Sequence, residues 1–107
     1  MYTVYLADDE QLIREGLAET IPWESLRMRL VGTAEDGRHA LRGIREHKPD
    51  IVLTDIRMPY LDGLELIGKI REVHPSCRVV IISGHGEFTY AQSAIQLGVS
   101  DFILKPV

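Results

Sequence analysis

The chain has 107 residues, 45% of them hydrophobic and 26% charged, with a formal net charge of −4 at pH 7. That length carries one domain with one sizeable core, and the acidic balance argues against a direct grip on nucleic acid, leaving any DNA contact to another domain. No apolar run approaches the ~18 residues of a membrane span, the first residues lack a signal-peptide pattern, and the lone Cys77 excludes an internal disulfide and suits a reducing cytoplasm.

Thr3-Val4-Tyr5-Leu6-Ala7 reads as a first strand that breaks into Asp8-Asp9-Glu10. Three consecutive acids repel one another, so they need a compensating reason. Capping of the helix that follows could supply it for one or two of them. That helix runs from Gln11 to Thr20, with Ile13, Leu17 and Ile21 at i, i+4, i+8 on its apolar face, and Pro22-Trp23 stops it. Trp23 is expected to anchor the loop over the helix end.

Leu30-Val31-Gly32-Thr33-Ala34 is a shorter second strand at an edge, and Glu35-Asp36-Gly37 a turn into a helix with Ala40, Leu41 and Ile44 facing inward. Lys48-Pro49-Asp50 closes that helix. Ile51-Val52-Leu53-Thr54-Asp55 is then a buried strand that delivers one carboxylate to the sheet edge, with Pro59 forbidding simple continuation. Asp62 is placed to cap the next helix, which carries Leu66, Ile67, Ile70 and Val73.

Cys77 is expected to be a partly buried spacer before Val79-Val80-Ile81-Ile82, an apolar strand ending in Ser83-Gly84-His85. A helix from about Phe88 to Leu97 follows, with Gly98 as its C′ residue, then a fifth strand at Asp101-Phe102-Ile103-Leu104 and Lys105-Pro106-Val107. The fourth helix has a wide apolar face, which implies deeper burial or a partner patch. His39, His47 and His74 lie on polar helix faces or at helix ends and read as surface residues.

Strands alternating with four amphipathic helices predict an α/β fold with a parallel sheet covered on both faces. Right-handed crossovers put every strand's C-terminal end on one edge, which gathers Asp8, Asp9, Asp55, Ser83 and Lys105 where open α/β sheets hold ligands. Clustered carboxylates without a histidine or cysteine neighbour select a hard divalent ion, Mg2+ ahead of Mn2+ or Ca2+. Lys105 adds a fixed positive charge and Ser83 a hydroxyl. Together they would form a pocket for a phosphoryl group with Asp55 as nucleophile.

These residues resemble the receiver domain of bacterial two-component response regulators over the whole chain. The resemblance rests on Asp8-Asp9, on Thr54-Asp55-Ile56-Arg57-Met58-Pro59 with Asp62-Gly63, on Ser83-Gly84, and on Phe102-Ile103-Leu104-Lys105-Pro106. It implies a flavodoxin-like (CheY-like), doubly wound, five-stranded parallel sheet in the order 2-1-3-4-5. It also implies that Asp55 accepts a phosphoryl group from a sensor histidine kinase, assisted by Ser83 and Lys105, and that the protein is a phospho-acceptor and not an enzyme. Asp9, Asp55 and the backbone carbonyl of Arg57 would be direct Mg2+ ligands, with Asp8 acting mainly through water. Ser83 and Phe102 would form the switch, Phe102 lacking the hydroxyl of the commoner tyrosine. Arg57 and His85 would shield the phosphoryl group and prolong its lifetime.

Pro22-Trp23-Glu24, Ser83-Gly84-His85 and Glu87-Phe88 with Ala91 are similar to receivers followed by an AraC-type DNA-binding domain. A receiver continues past the position of Val107 into a fifth helix. The expectation is therefore a 1–107 receiver domain cut short after its fifth strand. Such a domain would be destabilised, or would cover the bare face with a homodimer or a domain-swapped assembly. Three rivals come from other classes. A haloacid dehalogenase-type phosphohydrolase needs an acid where Arg57 stands. A flavodoxin-like cofactor binder would have its phosphate repelled by Asp8-Asp9-Glu10. A phosphorylation-independent receiver-like module would not need every reactive position filled.

Overall fold

The computed structural model describes residues 1–56, 58, 60–83, 98 and 101–104, with Ser83 and residues 101–104 described by their backbone. The elements alternate along the chain: β1 (Tyr2–Ala7), α1 (Gln11–Thr20), β2 (Met28–Ala34), α2 (Gly37–His47), β3 (Ile51–Asp55), α3 (Gly63–Val73), β4 (Arg78–Ser83) and β5 (Asp101–Leu104). Every neighbouring pair of strands is parallel, in the order β2-β1-β3-β4-β5. The predicted sheet and its strand order are both present. The predicted fourth helix lies outside the described residues, while Gly98 has φ +80°, the left-handed backbone expected of a C′ residue.

The main core lies on one face of the sheet, where Tyr5, Ala7, Val52, Val79 and Ile81 meet Ala40 and Ile44 of α2 and Leu66, Ile67 and Ile70 of α3. Leu41 packs against this cluster from a partly buried position. The other face carries α1, which buries no residue fully; Ile13, Leu17, Ala18 and Ile21 are half-buried. Side chains alternate along a strand, so Leu53 and Val80 point to this second face, where they too are half-buried.

Two expectations need correction. The second strand is longer than the sequence pattern indicates, because Tyr2 and Thr3 of β1 pair with Met28 and Arg29 and draw them into the sheet. Cys77 is fully buried, and burial raises its thiol to about 11 against a small opposing pull from the Arg71 charge. Trp23 does anchor the helix end, its indole Nε1 donating to Ala18 O at 3.0 Å. His74 is half-buried, with Nε2 2.8 Å from Pro49 O.

Candidate functional site

The strand registers set the geometry of the upper sheet edge. Ala7, the last residue of β1, pairs with Thr54, so Asp8 follows β1 where Asp55 ends β3. Asp55 pairs with Ile82, which leaves Ser83 one residue further along the neighbouring strand, and Ser83 pairs with Leu104. The residue after Leu104 is Lys105. Phe102 pairs with Ile81, two residues before Ser83.

Asp8, Asp9, Glu10 and Asp55 each place a carboxylate oxygen within 4.8 Å of the others. Asp8 is 0% and Asp55 2% exposed, whereas Asp9 and Glu10 are open to solvent. Backbone amides orient the two buried acids. Asp8 Oδ1 accepts from Glu10 N at 2.8 Å, and Asp55 Oδ1 accepts from Ile56 N at 2.7 Å. Arg14 Nη1 donates to Asp8 O at 2.8 Å, bringing a positive charge beside the acids. Thr54 Oγ1 donates to Asp55 O at 2.9 Å, which holds the end of β3.

Helix capping does not account for this cluster. Glu10 occupies the N-cap position of α1 without a side-chain capping bond. Capping is carried out elsewhere: Asp36 caps α2 by accepting from His39 N, and Asp62 caps α3 in a reciprocal capping box with Glu65.

The start of α3 also fixes the C-terminal end of β3. Gly63 N donates to Ile56 O at 2.7 Å, and a Cβ on Gly63 would sit 2.4 Å from Asp55 O. Only a glycine lets the helix start this close to the strand end. The loop between them carries Tyr60, 74% exposed, with the Arg38 guanidinium 4.7 Å from its ring centroid. A cleft of about 300 Å³ bounded by Asp9, Glu35, Asp36 and Tyr60 adjoins the acids.

An all-oxygen set of four carboxylates, two buried and two exposed, fits a hard divalent cation. Sequence reasoning placed Asp8, Asp9 and Asp55 in this set. It missed Glu10, whose position directly after the acid pair was a usable signal, and Arg14, which reaches from the first turn of α1 back to the Asp8 main-chain oxygen. Glu35, Asp36 and His39 form a second close group that was also missed. There Asp36 already serves the α2 cap and pairs with His39 Nδ1 at 2.6 Å. Arg57, His85 and Lys105 lie outside the described residues, as do the side chains of Ser83 and Phe102.

Known proteins place this geometry in a family. The model of the response regulator receiver domain matches residues 4–107. The uncharacterized transcriptional regulatory protein YesN of Bacillus subtilis is 48% identical over 106 residues, covering 99% of this chain and 29% of that protein. Among solved structures, the REC domain of AraT, a response regulator from Geobacillus stearothermophilus, is similar at 45% identity with a TM-score of 0.95, over 99% of this chain and 82% of that one. A two component transcriptional regulator AraC from Clostridium phytofermentans ISDg is similar at 34% identity and TM-score 0.89, over 100% and 83%. The chain thus spans less than a third of YesN.

Proposed function

The chain belongs to the response regulator receiver domain family, and from that premise we propose that Asp55 accepts a phosphoryl group from a phosphohistidine on a sensor kinase. The observation that carries the reading is the close packing of Asp55 with Asp8, Asp9 and Glu10 at the C-terminal edge of the sheet. Like charges at such distances are costly unless a cation offsets them.

In this reading Asp9, Asp55 and the Arg57 main-chain carbonyl would hold Mg2+, or Mn2+ in its place, with Asp8 acting through water, and the ion would supply charge neutralisation for the phosphoryl oxygens. Asp55 supplies the nucleophile from a carboxylate oriented by the Ile56 amide, on a main chain that the Gly63 contact keeps in place. A carboxylate oxygen–phosphorus bond forms, the phosphorus–nitrogen bond breaks, and the electron pair goes to the departing imidazole. Ser83 and Lys105, at the ends of β4 and β5, bind the phosphoryl oxygens. The added charge of roughly −1 to −2 draws the Ser83 hydroxyl toward it, and Phe102 fills the space released. Arg57 and His85, two residues after Asp55 and Ser83 in sequence, would slow hydrolysis of the product.

No described helix is long and apolar enough to cross a membrane, and we place the protein in the cytoplasm with its kinase. Its output would be transcriptional, through an AraC-type DNA-binding domain in the same polypeptide; the similar AraT and AraC response regulators support this. A homodimer formed over the α1 face would be one way to transmit the switch.

The test is incubation with acetyl phosphate, with Mg2+ or with excess chelator, followed by intact-mass measurement. One phosphoryl group is expected with Mg2+ and none with chelator. Asp55→Asn should take up none under either condition. Equal uptake by Asp55→Asn would remove Asp55 from its role, and sustained turnover of phosphate esters would favour a phosphohydrolase.

A further inference from the structure

Arg71 lies in the last turn of α3, far along the helix from Asp55, and its guanidinium holds three backbone carbonyls. Nη1 donates to Pro75 O at 3.2 Å and to Cys77 O at 2.5 Å, and Nη2 donates to Gly98 O at 2.7 Å. The first two belong to the short connection into β4 and are what a basic residue at a helix C-terminus ordinarily reaches. Gly98 is different. It lies 27 residues away in sequence and three before β5, with the left-handed backbone that sets the direction of its carbonyl.

We propose that Arg71 is a positioning residue: by gripping Gly98 O it fixes the entry of β5, and through β5 the placement of Lys105 at the phosphorylation site. The inference rests on the phospho-acceptor reading of Asp55. Strand β5 has four residues, lies at the edge of the sheet and, among the described residues, pairs with β4 alone. A ladder that short leaves the strand's position dependent on what anchors its entrance, and Lys105 follows its last residue directly.

Helix α3 makes the anchor relevant to the site. Its 11 residues span roughly 16 Å at 1.5 Å per residue. One end is locked against Asp55 O and Ile56 O through Gly63, and the other grips Gly98 O through Arg71. The helix is therefore a strut between the nucleophile and the strand that delivers the lysine. A planar guanidinium suits this task because its fork addresses carbonyls from two separated nitrogens, whereas a lysine ammonium presents its three donors from one.

The test compares the 107-residue wild type with Arg71→Lys and Arg71→Met, at a temperature where each is folded. Three quantities are read: the saturating rate of phosphorylation by acetyl phosphate, the Mg2+ affinity, and amide hydrogen exchange in residues 101–104. Arg71→Lys is expected to lower the saturating rate roughly tenfold and speed exchange in β5. Mg2+ affinity should be unchanged, because Asp8 and Asp9 directly follow β1 and Asp55 ends β3, both across β4 from β5. Arg71→Met should lose more, and if it does not fold the lysine variant decides. A wild-type rate in a folded variant would overturn the proposal even if its melting temperature fell, and so would an equal loss of rate and Mg2+ affinity. Absence of any adduct on the wild type would instead sink the phospho-acceptor reading itself.

Discussion

Asp36 shows how one side chain ties local structure to pH. Its carboxylate is buried, and burial by itself would raise its pKa. Hydrogen bonds from the His39 amide and ring outweigh burial, helped by the His39 charge and the Arg38 amide, so the group is held below its usual value. A carboxyl depressed in the folded state stabilises the fold above its unfolded value of about 3.9, and that contribution is lost as pH falls through the folded value. Asp36→Ala should therefore cost about 0.5–2 kcal/mol at pH 7, measured by urea unfolding, and the gap to wild type should close below about pH 4. Asp36→Asn, which keeps a capping oxygen, should lose less.

The residues that could be read from sequence were those whose chemistry conflicts with their place in the pattern. Asp55 ends an apolar run, and Asp8-Asp9 stack charge at a strand end. Arg71 could not be read this way. On a helical pattern it is one more cation on a polar face, and its partners are carbonyls of Pro75, Cys77 and Gly98 that no residue type announces.

Among the elements, α3 is the one whose two ends serve different purposes, and its glycines separate them. A Cβ on Gly63 would run into the backbone at Asp55 and Ile56, which cannot yield like a flexible side chain. Gly63→Ala should cost about 1–3 kcal/mol in urea unfolding and slow phosphorylation of Asp55. Gly68 has nothing within 4 Å of the same position, and Gly68→Ala should stabilise the helix by about 0.5–1 kcal/mol while leaving phosphorylation unchanged. Opposite signs for two identical changes in one helix would identify the close contact as the cause.

Element ends were legible where local chemistry marks them. The bounds Gln11–Thr20 follow from acids before the helix and Pro22 after it, and Asp62 was recognisable as a cap. The start of β2 was not legible. Arg27 adopts φ +58°, its carbonyl accepts from Tyr2 N, and the strand then begins at Met28 because β1 pairs with it. That pairing is tertiary and leaves no trace in a window of residues.

At the scale of the whole molecule, alternating strands and helices were enough to predict a parallel sheet, but not its strand order. The order β2-β1-β3-β4-β5 came from resemblance, and it matters because it sets β1 beside β3. That adjacency brings Asp8 and Asp9 to Asp55 from 47 and 46 positions earlier in the chain. It also places β4 and β5, with Ser83 and the strand leading to Lys105, on the far side of Asp55. In the proposed reading, the acids on one side would form a metal half, and Ser83 and Lys105 on the other a phosphoryl half.

The most direct measurement is to trap the adduct at its residue. After acetyl phosphate treatment with Mg2+, borohydride reduces an aspartyl phosphate to homoserine, which peptide sequencing by mass spectrometry locates. The account predicts homoserine at position 55 and no other. Homoserine at Asp8, Asp9 or Asp62, or at no position despite a phosphoryl mass on the intact chain, would contradict it.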